Sequence, residues 1–140
     1  MSRKTNEKFL DAYLILDSAL NERFGMKTGG ATEYINRLSA AKLAPGRDEA
    51  LPRLMKYRGI RNKFAHEPGE LKNSKEISSD DISWVKKFTV FVNKYKDPLS
   101  LLKNNGGRNR GGAAKAIIVM LLLAVVAAGV LFLLKYFGII

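Results

Sequence analysis

Cysteine is absent from the 140 residues, and histidine occurs once. Without a thiol there is no disulfide, no thiolate nucleophile and no cysteine-held metal, which fits a reducing cytoplasm. A single histidine leaves too few ligands for a protein-built zinc site within one chain. No metal and no cofactor is therefore expected. The chain also lacks a phosphate-binding P-loop, a dinucleotide fingerprint and a Ser/His/Asp set. Strand-like alternation of useful length is missing, and so is any internal repeat. A secretory signal is excluded as well, because the apolar stretch from Phe9 to Leu20 is broken by Asp11 and Asp17. Acidic residues are scarce. There are 13 Asp and Glu against 24 Lys and Arg, a net charge of +11.

What remains is helical. Phe9, Leu10, Tyr13, Leu14, Leu16, Leu20 and Phe24 recur at three- and four-residue spacing and predict a first helix over 5–24. Gly25 and Thr28-Gly29-Gly30 then supply a stop and a loop. Thr32 is the expected N-cap of a short second helix to about Leu43, closed by Pro45-Gly46. A third helix is expected from about Asp48 to Ala65, starting nearer Leu51 if Pro52 is confined to its first turn. Leu54, Tyr57, Ile60 (or Met55) and Phe64 form its apolar stripe, and Pro68-Gly69 ends it. Ser79 with Asp80 and Asp81 marks the start of a further helix carrying Ile82, Val85, Phe88, Phe91, Val92 and Tyr95, which stops before Pro98. Capping accounts for Asp80 and Asp81 better than a metal site does, and Trp84 reads as core. Asp11 and Asp17 receive no role. The expected fold is all-α, a bundle of four to five helices over 1–103.

From Ala116 to Leu134 the sequence carries no charge over 19 residues rich in Leu, Val, Ile and Ala. As a helix the run spans ~28 Å, close to the ~30 Å hydrocarbon core of a bilayer. Lys115 and Lys135 bracket it, and Tyr136 and Phe137 stand where interfacial aromatics stand. A transmembrane helix within 113–138 is expected, with a buried core helix as the competing reading. Lys103, Arg108, Arg110 and Lys115 lie before the run and Lys135 alone after it, so residues 1–112 should be cytoplasmic in a single-pass, tail-anchored layout. Between domain and anchor, 104–112 reads Asn-Asn-Gly-Gly-Arg-Asn-Arg-Gly-Gly, a flexible linker with a reach of ~15–18 Å.

Without Lys115 and Lys135, residues 1–112 hold 22 basic and 13 acidic side chains, a charge of +9. Such an excess favours a polyanion, either nucleic acid or an anionic membrane surface. It is concentrated on the third helix. Between Ala50 and His66 lie Arg53, Lys56, Arg58, Arg61 and Lys63, with no acidic residue among them. All are candidate phosphate contacts. His66, the lone histidine, is the one side chain that exchanges protons near neutral pH, and arginine is shaped to hold phosphate. On a regular helix Arg58, Asn62 and His66 share one face, and Asn62 can orient the His66 ring. Arg61 lies ~140° around the helix from His66, so the two do not converge unless the last turn unwinds or a partner chain supplies one of them. His66 at a helix C-terminus also has a purely structural reading, imidazolium against the helix dipole, with Arg61 a surface charge.

The stretch Arg61-Asn62-Lys63-Phe64-Ala65-His66, with the polar loop after it and a final helix over 77–95, resembles the signature of HEPN domains. These are small all-α modules of prokaryotic defence and toxin–antitoxin systems. The tyrosine that some toxin branches carry soon after the histidine is missing, since Glu67-Pro68-Gly69 follows. The resemblance implies that Arg61, Asn62 and His66 form the catalytic site of a metal-independent endoribonuclease acting on RNA as a homodimer. It implies a product with a 2′,3′-cyclic phosphate, and an antitoxin or defence protein as partner. An interaction module without catalysis, tail-anchored and binding RNA or protein, is the other function the residues accommodate.

Overall fold

The computed structural model describes residues 2–138, apart from the side chains of 106–116. Among the described residues there are six helices and no strand. They are α1 (Ser2–Phe24), α2 (Gly30–Ala40), α3 (Arg47–His66), α4 (Pro68–Asn73), α5 (Ser79–Asn93) and α6 (Pro98–Tyr136). The chain divides into two units, Met1–Leu102 and Lys103–Ile140.

In the first unit α1 is the axis. Phe9, Ala12, Tyr13, Leu16 and Leu20 line one side of it and are buried. Helix α5 packs along α1 most extensively, and α2, α3 and α4 also border it. Rings run from helix to helix through the core. Phe9 of α1 lies 5.6 Å from Tyr57 of α3, Tyr57 lies 5.7 Å from Trp84 of α5, and Phe88 of α5 meets Tyr34 of α2 edge-on at 5.6 Å. Each buried ring or leucine contributes ~1.5–3 kcal/mol through removal of apolar surface from water.

Polar side chains join the helices at three places. Asp17 and Asn21 of α1 accept from the backbone N–H groups of Ala31 (2.8 Å) and Gly30 (2.7 Å), satisfying donors that the start of α2 leaves open. The helix thus begins at Gly30 rather than at the expected cap Thr32, because its caps come from another helix. Asp17, given no role on sequence grounds, is one of them. Gly30 cannot carry a side chain here, since a Cβ would lie 2.4 Å from the Asn21 nitrogen. Asn6, fully buried, donates Nδ2 to the carbonyls of Leu71 (3.1 Å) and Ser74 (2.9 Å). It holds in place the short helix α4, which occupies the segment expected as a polar loop, with Pro68 in its first turn. The third joint is Asp97, also fully buried. Its carboxylate accepts from Arg23 Nη1 at 2.8 Å, Tyr34 Oη at 2.7 Å and Ser100 Oγ at 2.6 Å, tying α1 and α2 to the start of α6.

Two boundaries differ from expectation. Helix α3 starts at Arg47 with Pro52 inside it, and the exposure of Pro52 leaves the carbonyl it would have bonded open to water. Helix α5 is capped by Ser78 rather than Ser79. The Ser78 hydroxyl accepts from the Asp81 N–H while the Asp81 carboxylate accepts from the Ser78 N–H at 2.9 Å.

In the second unit, Ile117–Tyr136 is a 20-residue stretch of helix long and apolar enough to cross a membrane. None of it is buried within the protein, unlike the core helix that was the competing reading. Positions 104–112, expected as an irregular linker, fall within the bounds of α6. Arg108, Arg110 and Lys115, counted above for orientation, have side chains outside the described residues.

Candidate functional site

Helix α3 presents two unlike sides. Ala50, Leu54, Tyr57, Ile60 and Phe64 are buried, as the stripe requires, while Met55 is 48% exposed. Its first turn carries Asp48 and Glu49 and its last turn Lys63 and His66, an arrangement that the helix dipole favours at both ends. The last turn does not unwind. The Glu67 N–H donates to the Lys63 carbonyl at 2.8 Å, and only at Glu67 does the backbone become extended.

This regularity decides the geometry of the motif. Arg58, Asn62 and His66 stack along the outward side, where Asn62 and His66 are exposed. Arg61, half-buried, faces another way. Its Nη1 reaches the Asn62 Oδ1 at 3.3 Å. Asn62 therefore meets Arg61, whereas an orienting contact to His66 was expected. His66 itself makes no hydrogen bond or ion pair among the described residues. One chain does not bring Arg61 and His66 together.

The five cations of α3 have different fates. Lys63 donates to Glu76 Oε1 at 2.8 Å, and that bond raises its pKa. Lys56 lies 3.4 Å from Asp81 Oδ1, which also accepts the Tyr57 hydroxyl at 2.8 Å. Arg53 sits over the Trp84 ring, 5.4 Å from its centroid. Arg58 and Arg61 have no acidic partner among the described residues. Both bear on the phenol of Tyr13 in α1. Burial and then Asp17 push that phenol up to about 12, while Arg61 and Arg58 pull it down. Tyr13 falls on the core stripe of α1 and so is invisible as a site residue in the sequence.

Gly59, on the same outward side, is exposed, and a Cβ there would meet nothing within 4 Å. The side formed by Met55, Arg58, Gly59, Asn62 and His66 is open enough for another helix to approach closely. It offers one unpaired guanidinium, that of Arg58, one imidazole and no carboxylate of α3 itself. It can bind phosphate and move a proton. Among the described residues no group of three or more His, Asp or Glu is placed to hold a metal ion.

The chain belongs to a family of unknown function (DUF6548), whose model matches residues 7–116. No curated protein and no solved structure matches it.

Proposed function

We propose that this DUF6548 member is a membrane-tethered, metal-independent endoribonuclease of HEPN type, acting as a homodimer in prokaryotic defence or toxin–antitoxin biology. The observation that carries the reading is the unbroken last turn of α3. It keeps His66 on the open side of the helix and Arg61 away from it, so a complete site needs α3 of a second copy. Such a dimer brings Arg61 of one chain to His66 of the other across a cleft already rich in positive charge.

In that cleft His66 takes the proton from an RNA 2′-hydroxyl. The 2′-oxygen attacks the adjacent phosphorus, the P–O5′ bond breaks, and the leaving 5′-oxygen takes up a proton from solvent or from an imidazolium. Arg61 stabilises the charge that develops on the non-bridging oxygens. Arg58 holds a neighbouring phosphate, with Asn62 positioning Arg61. The products are a 2′,3′-cyclic phosphate and a 5′-hydroxyl. DNA has no 2′-hydroxyl and is spared. Lys63 and Lys56 contribute less, since a carboxylate already pairs with each, and Arg53, which lies over the Trp84 ring, adds its charge to the field.

The apolar stretch Ile117–Tyr136 supplies the tether. The excess of positive charge before it places the helical domain in the cytoplasm in this reading. His66→Ala tests the proposal, with RNA cleavage and growth toxicity lost while helicity is retained. Unchanged cleavage in His66→Ala would refute it. RNA binding without cleavage in the parent protein would instead favour a non-catalytic, membrane-tethered interaction module.

A further inference from the structure

A cavity of about 340 Å³ opens within the first unit, away from the outward side of α3. Its walls are Ala50 and Gly46 at the start of α3, Trp84, Phe88 and Phe91 of α5, and Leu101 in the opening turns of α6. The volume lies within the range of small-ligand sites, ~300–1,000 Å³. Three charged side chains stand around it, Glu49, Lys87 and Lys96. Neither lysine has an ion-pair partner among the described residues. Lys87 Nζ lies 5.8 Å from the Phe91 ring centroid. The chain brings Lys96 to the cavity through an unusual turn. Tyr95 adopts φ 54°, a left-handed conformation that residues with a Cβ rarely take, and the Lys96 N–H closes back onto the Phe91 carbonyl at 2.9 Å.

We propose that this cavity binds an anionic amphiphile through one hydrocarbon chain, with that chain against Phe88, Trp84 and Leu101 and the carboxylate or phosphate head between Lys87 and Lys96. Hydrocarbon walls with two unpaired lysines at the edge match that chemistry. A nucleobase is held by several donors and acceptors along its edge, and the aromatic and aliphatic side chains of the walls offer only the Trp84 indole N–H. The stack of Trp84 on Phe88 at 4.9 Å already occupies one face of each ring. A cationic or neutral chain would leave both lysines without an anion. Glu49 keeps the charge excess at the mouth to one, which limits binding of small inorganic anions that bring no apolar part. The same chemistry is offered by a free fatty acid and by an anionic lipid of the bilayer into which Ile117–Tyr136 can insert.

Trp84, the only tryptophan of the chain, reports on the cavity directly. The full chain is reconstituted in phosphatidylcholine nanodiscs and titrated with an ω-brominated dodecanoate, whose bromine quenches indole fluorescence on contact. Saturable quenching is expected. The brominated alcohol and the brominated trimethylammonium compound of the same length should need at least about tenfold higher concentrations, as the loss of two charge-assisted contacts implies. Lys87→Gln with Lys96→Gln should abolish that preference, and Leu101→Phe, which narrows the cavity, should abolish saturable quenching. The two lysine changes are on the surface and leave the core intact, so they decide the matter even if Leu101→Phe disturbs the fold. A second set of discs containing brominated phosphatidylglycerol distinguishes the sources. Quenching there that exceeds brominated phosphatidylcholine assigns the ligand to the bilayer, and quenching by the free acid alone assigns it to the cytoplasm. Equal quenching by anionic, neutral and cationic chains, or a preference that survives the double lysine change, overturns the proposal.

Discussion

If Arg61 and His66 act across a dimer, two inactive variants should rescue each other. They are five positions apart on a helix that stays regular to its end at His66, which places them ~7.5 Å apart along the axis and ~140° around it. Within one chain the two side chains therefore point away from a common phosphate. Removing a general base costs ~10²–10⁴-fold in rate, and removing a group that stabilises developing charge costs ~10²–10³-fold. Arg61→Ala and His66→Ala homodimers should both fall below ~1% of the parent rate by these measures. In a mixed dimer the His66→Ala chain supplies Arg61 and the Arg61→Ala chain supplies His66. One of the two symmetry-related pairs is then intact and the other lacks both members, so the mixed dimer should recover about half of the parent rate. The assay is cleavage of a fluorogenic RNA by mixed dimers, co-expressed with two different affinity tags and isolated through both in succession. Mixed dimers as inactive as their parents would refute the shared site, because a site built within one chain gains nothing from mixing.

Three further outcomes concern the frame that holds α3. Asp97→Ala leaves the Arg23 guanidinium and the Tyr34 hydroxyl without their buried acceptor and should cost ~3–5 kcal/mol in urea unfolding, whereas an unchanged midpoint would remove Asp97 from the frame. Burial works to raise the Asp97 pKa, yet hydrogen bonds from Ser100, Tyr34 and Arg23 outweigh it and hold the carboxyl below its usual range. The stability it supplies is therefore present above the unfolded value near ~3.9 and is lost as pH falls through the folded one, which acid titration followed by circular dichroism can check. At the other extreme, burial pushes Tyr13 and Tyr57 up to about 12, so the stability tied to their protonated phenols is complete below pH ~10 and disappears as pH rises toward the folded values. A melting temperature flat across that alkaline window would contradict this. Gly30→Ala forces a Cβ to 2.4 Å from the Asn21 nitrogen and should cost ~1–3 kcal/mol in the same unfolding experiment, with no loss meaning that α2 can shift without penalty.

Much of the helical frame is legible in the sequence because apolar spacing carries it. The stripe Leu54, Tyr57, Ile60 and Phe64 is buried as its periodicity requires, and the uncharged run after Lys115 forms an apolar helix. Less legible are features in which one segment completes another. Thr32 looks like a cap by local chemistry, but Asp17 and Asn21, nine or more residues earlier, satisfy the start of α2. Asn6 and Leu71 are 65 residues apart, and no local pattern announces their bond. Asp97 reads as a residue before proline and is instead a fully buried anion. The candidate site divides in the same manner. Arg58, Asn62 and His66 follow from helical spacing alone, whereas the capture of Lys56 by Asp81 and of Lys63 by Glu76 depends on where α5 and the segment before it pack.

That capture changes what a count of basic residues means. A cation paired at 2.8 Å, as Lys63 is with Glu76, has much of its field cancelled, and phosphate must compete with a carboxylate for it. An unpaired guanidinium keeps its field and remains a bidentate donor. Asp81 and Glu76 each take one lysine of α3, Lys56 and Lys63. Arg58 and Arg61 have no carboxylate partner among the described residues. Unpaired surface cations cost the fold little, because water solvates them. Arg58 and Arg61, which no carboxylate takes, thus stand on the helix that also carries the single histidine.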